Sequence, residues 1–317
     1  MSDLFADLLG QDRAVGLLSS ALAQRRLAPA YLFAGPEGVG RRLAALRFLE
    51  GVVAGPAGAA GLRRRLEQGN HPDLLWVEPT YQHQGRLVTA SQAVEEGVSR
   101  RTPPQLRLEQ VREIARFLAR RPLEAPAGLV VIDGAEAMAE AAANALLKTL
   151  EEPGDGLLIL ISAAPERLLA TIRSRCQQIP FLRLSSELVA RVVLAAGGSG
   201  EASDPPGLLE LAAGSPGALL HHRRRWQELP EGLAERLLAL ERDPLAALTL
   251  ARDLSESLDG EQQLWLLDWW QLMLWRRQGA AAALHRLEAL RSHLLAHVQP
   301  RLAWEVALLD LAGLAGG

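Results

Sequence analysis

Residues 35–42, Gly-Pro-Glu-Gly-Val-Gly-Arg-Arg, carry glycines at the spacing of a phosphate-binding loop. Gly35, Gly38 and Gly40 would let backbone N–H groups converge on an anion at the start of a helix. A loop that hydrolyses a nucleoside triphosphate continues with Lys, which reaches the β- and γ-phosphates, and then with Ser or Thr, whose hydroxyl ligates magnesium. Here those two positions are Arg41 and Arg42. Alone, the stretch fits a glycine-rich turn as well as a nucleotide site that has lost its hydrolytic groups.

Asp133 ends the apolar run 128–133, Gly-Leu-Val-Val-Ile-Asp, where a metal-binding aspartate would stand in such a site. The residue after it should be a water-activating Glu but is Gly134, and Glu136 lies two further on, in a turn that should aim it elsewhere. A strand-end aspartate is also an ordinary helix N-cap. Ser174-Arg175-Cys176 puts an arginine at the end of an expected helix, where a salt bridge is the default role.

These residues need a scaffold of alternating strands and helices. Residues 12–25 have helical apolar spacing, 31–34 form a short buried strand, and 41–49 read as a helix. Residues 51–62 lack a period and predict a loop or weak helix. A strand follows at 74–79, a polar loop at 80–104, an amphipathic helix at 106–121 and a strand at 128–133. A helix at 139–153, a strand at 156–162, a helix at 166–176 and a last strand from Gln177 complete an α/β pattern with a parallel sheet. Beyond 182 the strand signals stop. Residues 183–224 predict short helices, and 225–317 are all-helical with six of the seven tryptophans. The most apolar run, 264–275, is about half a membrane span in length, holds Asp268 and Gln271, and predicts a buried helix.

Composition narrows the function classes. Cys176 is the only cysteine, which excludes an internal disulfide and a multi-cysteine zinc site. The acidic N-terminus has no basic region of the secretory type, so the expected setting is cytoplasmic. The net charge of −3 argues against a free-standing nucleic-acid-binding protein. Of 34 cationic side chains, Lys148 is the sole lysine, so Arg41 fits a chain-wide bias; even so, guanidinium and ammonium are not equivalent at a phosphate. Arg63–Arg65 and Arg223–Arg225 read as solvated faces before they read as DNA contacts.

The stretch 144–176, NALLKTLEEPGDGLLILISAAPERLLATIRSRC, resembles the signature of bacterial clamp-loader AAA+ subunits. LLGQDRAVGLLSSAL, LAPAYLFAGPEGVG, GNHPDLLWVEP and LAAGSPGALL (211–220) fit the same family, in order, over residues 4–220. The resemblance implies a RecA-like AAA+ domain at 1–182, a helical lid domain at 183–224 and a helical collar domain at 225–317. It also implies a place in a five-subunit ring with gamma/tau and delta subunits, which loads the sliding clamp onto primed DNA for DNA polymerase III.

Within the family, the elements that act on a subunit's own nucleotide are degraded here. Arg41 and Arg42 replace Lys and Ser/Thr, Gly134 replaces Glu, and Ala163 and Gly217 stand at the two sensor positions. The resemblance assigns Arg175 as an arginine finger acting on a neighbour's ATP, a device worth roughly a thousandfold or more in rate. Gly35, Gly38, Gly40, Arg41, Arg42 and Asp133 are left as a degenerate site with, at most, weak nucleotide or phosphate binding and no required cofactor. The cysteines of the zinc module found in many relatives are missing from 51–65, so no zinc is expected. The alternative within the family is an active gamma/tau-type ATPase, which would need the intact Lys-Ser/Thr pair and the strand-end Glu.

Overall fold

The apolar runs of the sequence become the strands of one parallel sheet. The structure is a computed structural model and describes residues 3–83, 85–95, 102–197, 204–240, 242–278, 281–296 and 298–314. The chain divides into two compact units, Met1–Val192 and Val193–Gly317.

The first unit begins with α1 (Asp12–Ala23), β1 (Ala30–Ala34), α2 (Arg41–Ala54), α3 (Ala60–Glu67) and β2 (Leu74–Val77). A hairpin of β3 (Thr80–His83) and β4 (Arg86–Thr89) follows, then α4 (Ala90–Glu95), α5 (Leu108–Leu118), β5 (Leu129–Asp133) and α6 (Glu140–Glu151). It continues through β6 (Leu157–Ser162), α7 (Ala170–Arg173) and β7 (Gln177–Pro180). The sheet order is β2-β5-β6-β1-β7, all parallel. Side chains alternate across it. Tyr31, Phe33, Val131, Ile159 and Ile161 pack toward α1 and α2, while Leu32, Val130, Ile132, Leu158 and Leu160 pack toward α5 and α6. Burial on both faces is why these strands are apolar at nearly every position.

Three stretches differ from the sequence reading. Residues 80–104 were expected to be a loop, yet Thr80–His83 pairs antiparallel with Arg86–Thr89. Thr, Tyr and Val favour strands, and Gly85 takes the left-handed conformation at φ +79° that the tight turn needs. Residues 96–101 of that stretch lie outside the described residues. The helix expected at 166–176 shrinks to α7, because Leu168 and Leu169 stay extended and Leu168 is buried. In the segment 51–62, α2 runs on to Ala54 and α3 starts at Ala60.

That last segment is closed by charge. Arg47, almost wholly buried, reaches Asp7 at 2.6 Å and Glu67 at 2.8 Å. Glu50, 1% exposed, accepts from the Ala59 N–H and from Arg63 Nε, each at 2.8 Å. Arg63 is therefore structural. Arg65 pairs with Glu124, and in the second unit Arg223 pairs with Asp204 and Arg225 with Glu261.

A helix α8 (Ser186–Ala195) carries the chain across the boundary. The second unit comprises α9 (Leu208–Leu211), α10 (Pro216–Gln227), α11 (Leu233–Leu238), α12 (Pro244–Ser257), α13 (Gly260–Gln278), α14 (Ala281–Leu295) and α15 (Pro300–Leu314). The apolar run 264–275 lies within α13 and buries Leu266, Leu267, Trp269 and Trp270, although Trp275 is exposed. Two of the buried indoles have their N–H groups satisfied, Trp269 Nε1 donating to the Pro206 carbonyl at 2.9 Å and Trp304 Nε1 to Gln263 Oε1 at 3.0 Å, whereas Trp270 Nε1 is buried without a partner. Among the described residues, no helix is long and apolar enough to cross a membrane.

Candidate functional site

In an open parallel sheet, ligands bind beyond the carboxyl ends of the strands. The register brings four such ends together. Ala34 of β1 lies opposite Ser162 of β6, Asp133 of β5 opposite Ile161, and Val77 of β2 opposite Ile132. Gly35, Ala163, Asp133 and Glu78 therefore emerge side by side.

The loop from Gly35 to Gly40 leads from β1 into α2. Gly35 (φ +154°) passes so close to β7's exit that a Cβ would lie 2.3 Å from the Phe181 carbonyl oxygen. Gly40 (φ +101°) caps α2, and a Cβ there would meet Leu8 at 2.6 Å. Gln11 braces this end of the sheet. Its amide donates to the Val39 and Leu182 carbonyls, and its oxygen accepts from the Leu182 N–H. The loop thus leads through left-handed glycines into the N-terminus of a 14-residue helix.

The side chains that follow change what the loop can do. Arg41 is buried, and burial lowers its pKa against the opposing pull of Asp133, Glu136 and Glu37. Its Nη1 is buried and has no hydrogen-bond partner. Arg42 turns toward the strand ends: Nε lies 2.7 Å from Asp133 Oδ2, and Nη2 pairs with Glu78 Oε1. Its guanidinium also sits over the Trp76 ring, 5.3 Å from the centroid. Burial raises the Asp133 pKa even with Arg42 beside it, and Glu78 adds to the rise.

The neighbouring positions are equally committed. Gly134 is left-handed at φ +67°, and a Cβ there would come within 2.9 Å of Pro79 Cγ. Glu136, expected to point elsewhere, instead reaches this end of the sheet: its Oε1 accepts the Ala163 N–H at 3.0 Å, its charge acts on Arg41, and its Oε2 is buried without a partner. Ser162 is fully buried, and its Oγ accepts from the Ala164 N–H. Among the described residues, no group of three or more His, Cys, Asp and Glu side chains is placed to hold a metal ion. His71 serves the backbone, its Nδ1 accepting from the Asp73 N–H at 3.2 Å. Burial pushes the Cys176 thiol up to about 11, which leaves it unreactive.

Arg175 does not join this cluster. It lies just past α7, exposed, donating to the Thr171 carbonyl at 2.9 Å and to Glu151 Oε1 at 2.7 Å. Gly217 is the second residue of α10, in the other unit, next to the Pro216 that follows the Ser215 N-cap. Lys148 is exposed on α6. Glu78 is the residue that sequence reasoning missed. The signal available for it was an acid immediately after a buried strand, the same kind of position as Asp133.

Comparison with known proteins shows the family. Residues 10–185, more than half of the chain, match the family model of the DNA polymerase III delta subunit. Residues 188–311 match that of the cyanobacterial DNA polymerase III delta prime C-terminal domain. The chain is 33% identical over 271 residues to DNA polymerase III subunit delta' of Pseudomonas aeruginosa, covering 79% of this chain and 73% of that protein. It is 34% identical over 185 residues to the Bacillus subtilis subunit delta', covering 56% of this chain and only 50% of that protein. A solved gamma subunit-related protein of DNA polymerase III from Thermotoga maritima shares the fold, with a TM-score of 0.53 at 16% identity over 93% of this chain and 98% of that one. The five-stranded parallel sheet and helical C-terminal region are the AAA+ arrangement expected from the resemblance. On the family matches and the identity to the delta' subunits, the chain belongs to the delta-prime family of bacterial DNA polymerase III subunits.

Proposed function

We propose that this chain is the non-hydrolysing member of the DNA polymerase III clamp loader and lends Arg175 to the ATP site of a neighbouring subunit. The observation that carries the reading is a contrast. The chain's own site has Arg42 lodged between Asp133 and Glu78 and a left-handed Gly134 where the base should stand, while Arg175 is exposed at the end of α7. A guanidinium at a neighbour's γ-phosphate stabilises charge that builds up in the transition state. The gamma/tau-type alternative lacks its lysine, its hydroxyl and its base.

In this reading the partners are gamma/tau and delta subunits in a five-membered cytoplasmic ring, and through it the sliding clamp and primed DNA. Residues 1–182 form the AAA+ domain, 183–224 the lid and 225–317 the collar. Apolar positions left bare on the collar helices support a subunit contact there: Leu245 and Leu248 on α12, and Leu302, Val306 and Leu309 at helical spacing on α15. The loop Gly35–Gly40 with Arg41 holds a phosphate group only weakly, and no zinc or other cofactor is required.

Reconstitution with the other loader subunits tests the proposal. Arg175→Ala should leave assembly intact, remove hydrolysis at one site of the ring and lower clamp loading more than total turnover. Arg175→Lys should rescue little, since an ammonium cannot reproduce the planar fork. Arg173→Ala, also exposed, is the control and should have a much smaller effect. Unchanged turnover and loading in Arg175→Ala would overturn the assignment.

A further inference from the structure

In a working phosphate loop the divalent cation is held by the Ser or Thr hydroxyl and by an aspartate at a strand end. Here those positions are Arg42 and Asp133, and they bind each other. Arg42 Nε is 2.7 Å from Asp133 Oδ2, Nη2 pairs with Glu78, and Trp76 lies beneath the guanidinium at 5.3 Å. Glu78 Oε2 in turn accepts from the Ser91 hydroxyl, and the Glu78 carbonyl accepts from Gln110 Nε2 at 2.8 Å. The guanidinium is thus fixed by groups on two adjacent strand ends. Magnesium needs a near-octahedral shell of oxygens, and a guanidinium offers only N–H donors. The residues present do not fit the metal.

We infer that Arg42 is a tethered cation standing in for the divalent metal, so that Asp133 and Glu78 are paired within the chain itself and a phosphate enters the Gly35–Gly40 cradle without magnesium. The charge balance of the site is then permanent: it does not vary with metal supply or with nucleotide exchange. The inference rests on reading 35–42 as a phosphate loop. Its test uses the isolated full chain, so its failure would leave the role of Arg175 untouched.

The readout is Mn²⁺ binding that depends on Asp133, measured by the loss of the free-ion electron paramagnetic resonance signal. The natural chain and Arg42→Lys should show none: their titrations should match those of the same chains carrying Asp133→Asn. Arg42→Ser, which restores the hydroxyl, should gain a Mn²⁺ site that disappears in the Arg42→Ser/Asp133→Asn double variant. Inorganic phosphate binding by the natural chain should be unchanged on adding Mg²⁺. An Asp133-dependent Mn²⁺ site in the natural chain would overturn the inference. So would the absence of one in an Arg42→Ser chain whose near-ultraviolet circular dichroism is native. Should Arg42→Ser lose its fold, Arg42→Gln keeps the aliphatic stem through Cδ, removes the charge, offers an amide oxygen and makes the same comparison.

Discussion

Arg175 and Glu151 form an ion pair across 2.7 Å at the surface of the sheet-bearing unit. Both side chains are substantially exposed, and such pairs contribute no more than ~1 kcal/mol. Glu151→Ala should therefore shift the urea midpoint of the isolated chain very little. In the reconstituted loader its effect should oppose that of Arg175→Ala: with its internal partner gone, Arg175 is freer to reach a neighbour, and ATP turnover should hold or rise. A fall in turnover equal to that of Arg175→Ala would make the pair itself the working unit.

Restoring the catalytic carboxylate should fail for a reason in the backbone. Gly134 is left-handed, and any Cβ there runs into Pro79. Gly134→Glu should cost about 1–3 kcal/mol, the usual range for a strained non-glycine residue. Combined with Arg41→Lys and Arg42→Ser it should still give no ATP turnover above background. A triple variant that hydrolyses ATP in a release assay would show that the strand end can relax.

Asp73 holds the chain leading into β5. Its carboxylate accepts from the N–H groups of Leu123, Glu124 and Ala125 at 2.7–2.8 Å. Burial alone would raise its pKa, but the three donors and nearby His71 together bring it below the ordinary 3.8. A depressed acid adds stability that is complete above the unfolded-state pKa and is lost as pH falls through the folded one. Asp73→Asn should cost roughly 1.5–3 kcal/mol at neutral pH, the range for a hydrogen bond to a charged group. That difference should shrink below pH 3.8 in denaturant titrations.

His222 gives the helical unit the opposite vulnerability. Its Nδ1 accepts from Trp265 Nε1 at 2.9 Å, which requires a neutral ring. Burial, reinforced by His221, lowers its pKa below 6.5 against smaller opposing contributions from the Leu211 backbone and Asp268. The unfolded chain then binds the proton more readily, so stability is complete above pH 6.5 and falls as pH drops toward the folded pKa. Six of the seven tryptophans lie at or beyond residue 226, so tryptophan fluorescence reports mainly on this unit. Its thermal midpoint should drop on acidification below pH 6.5, and His222→Gln should flatten that slope.

The fold was legible because its signals are local. Runs such as Leu129–Ile132 and Leu157–Ile161 are apolar at every position, and only burial on both faces of a sheet accounts for them. The glycines of the loop were legible in the same way, since positive φ at Gly38 and Gly40 is a demand that few other residues meet. The interaction that defines the candidate site was not. Arg42, Glu78 and Asp133 are far apart in the sequence, and what joins them is the adjacency of β2 and β5, a consequence of strand order. The hairpin 80–89 was missed because its strands are short and polar, so burial leaves no periodic trace in them.

The link between α2 and α3 is a strap of carboxylates and guanidiniums around Glu50 and Arg47. Such a strap has no oxidation state and releases nothing to a chelator, so peroxide and metal scavengers should leave this corner of the molecule shut. Its weakness is the loss of a single charge. Glu50 is 1% exposed and accepts from Arg63 and from the Ala59 N–H, so replacing it with an apolar residue would strip both donors of their buried acceptor, a defect of roughly 3–5 kcal/mol. The durability of this corner is therefore governed by charge pairing, not by redox poise.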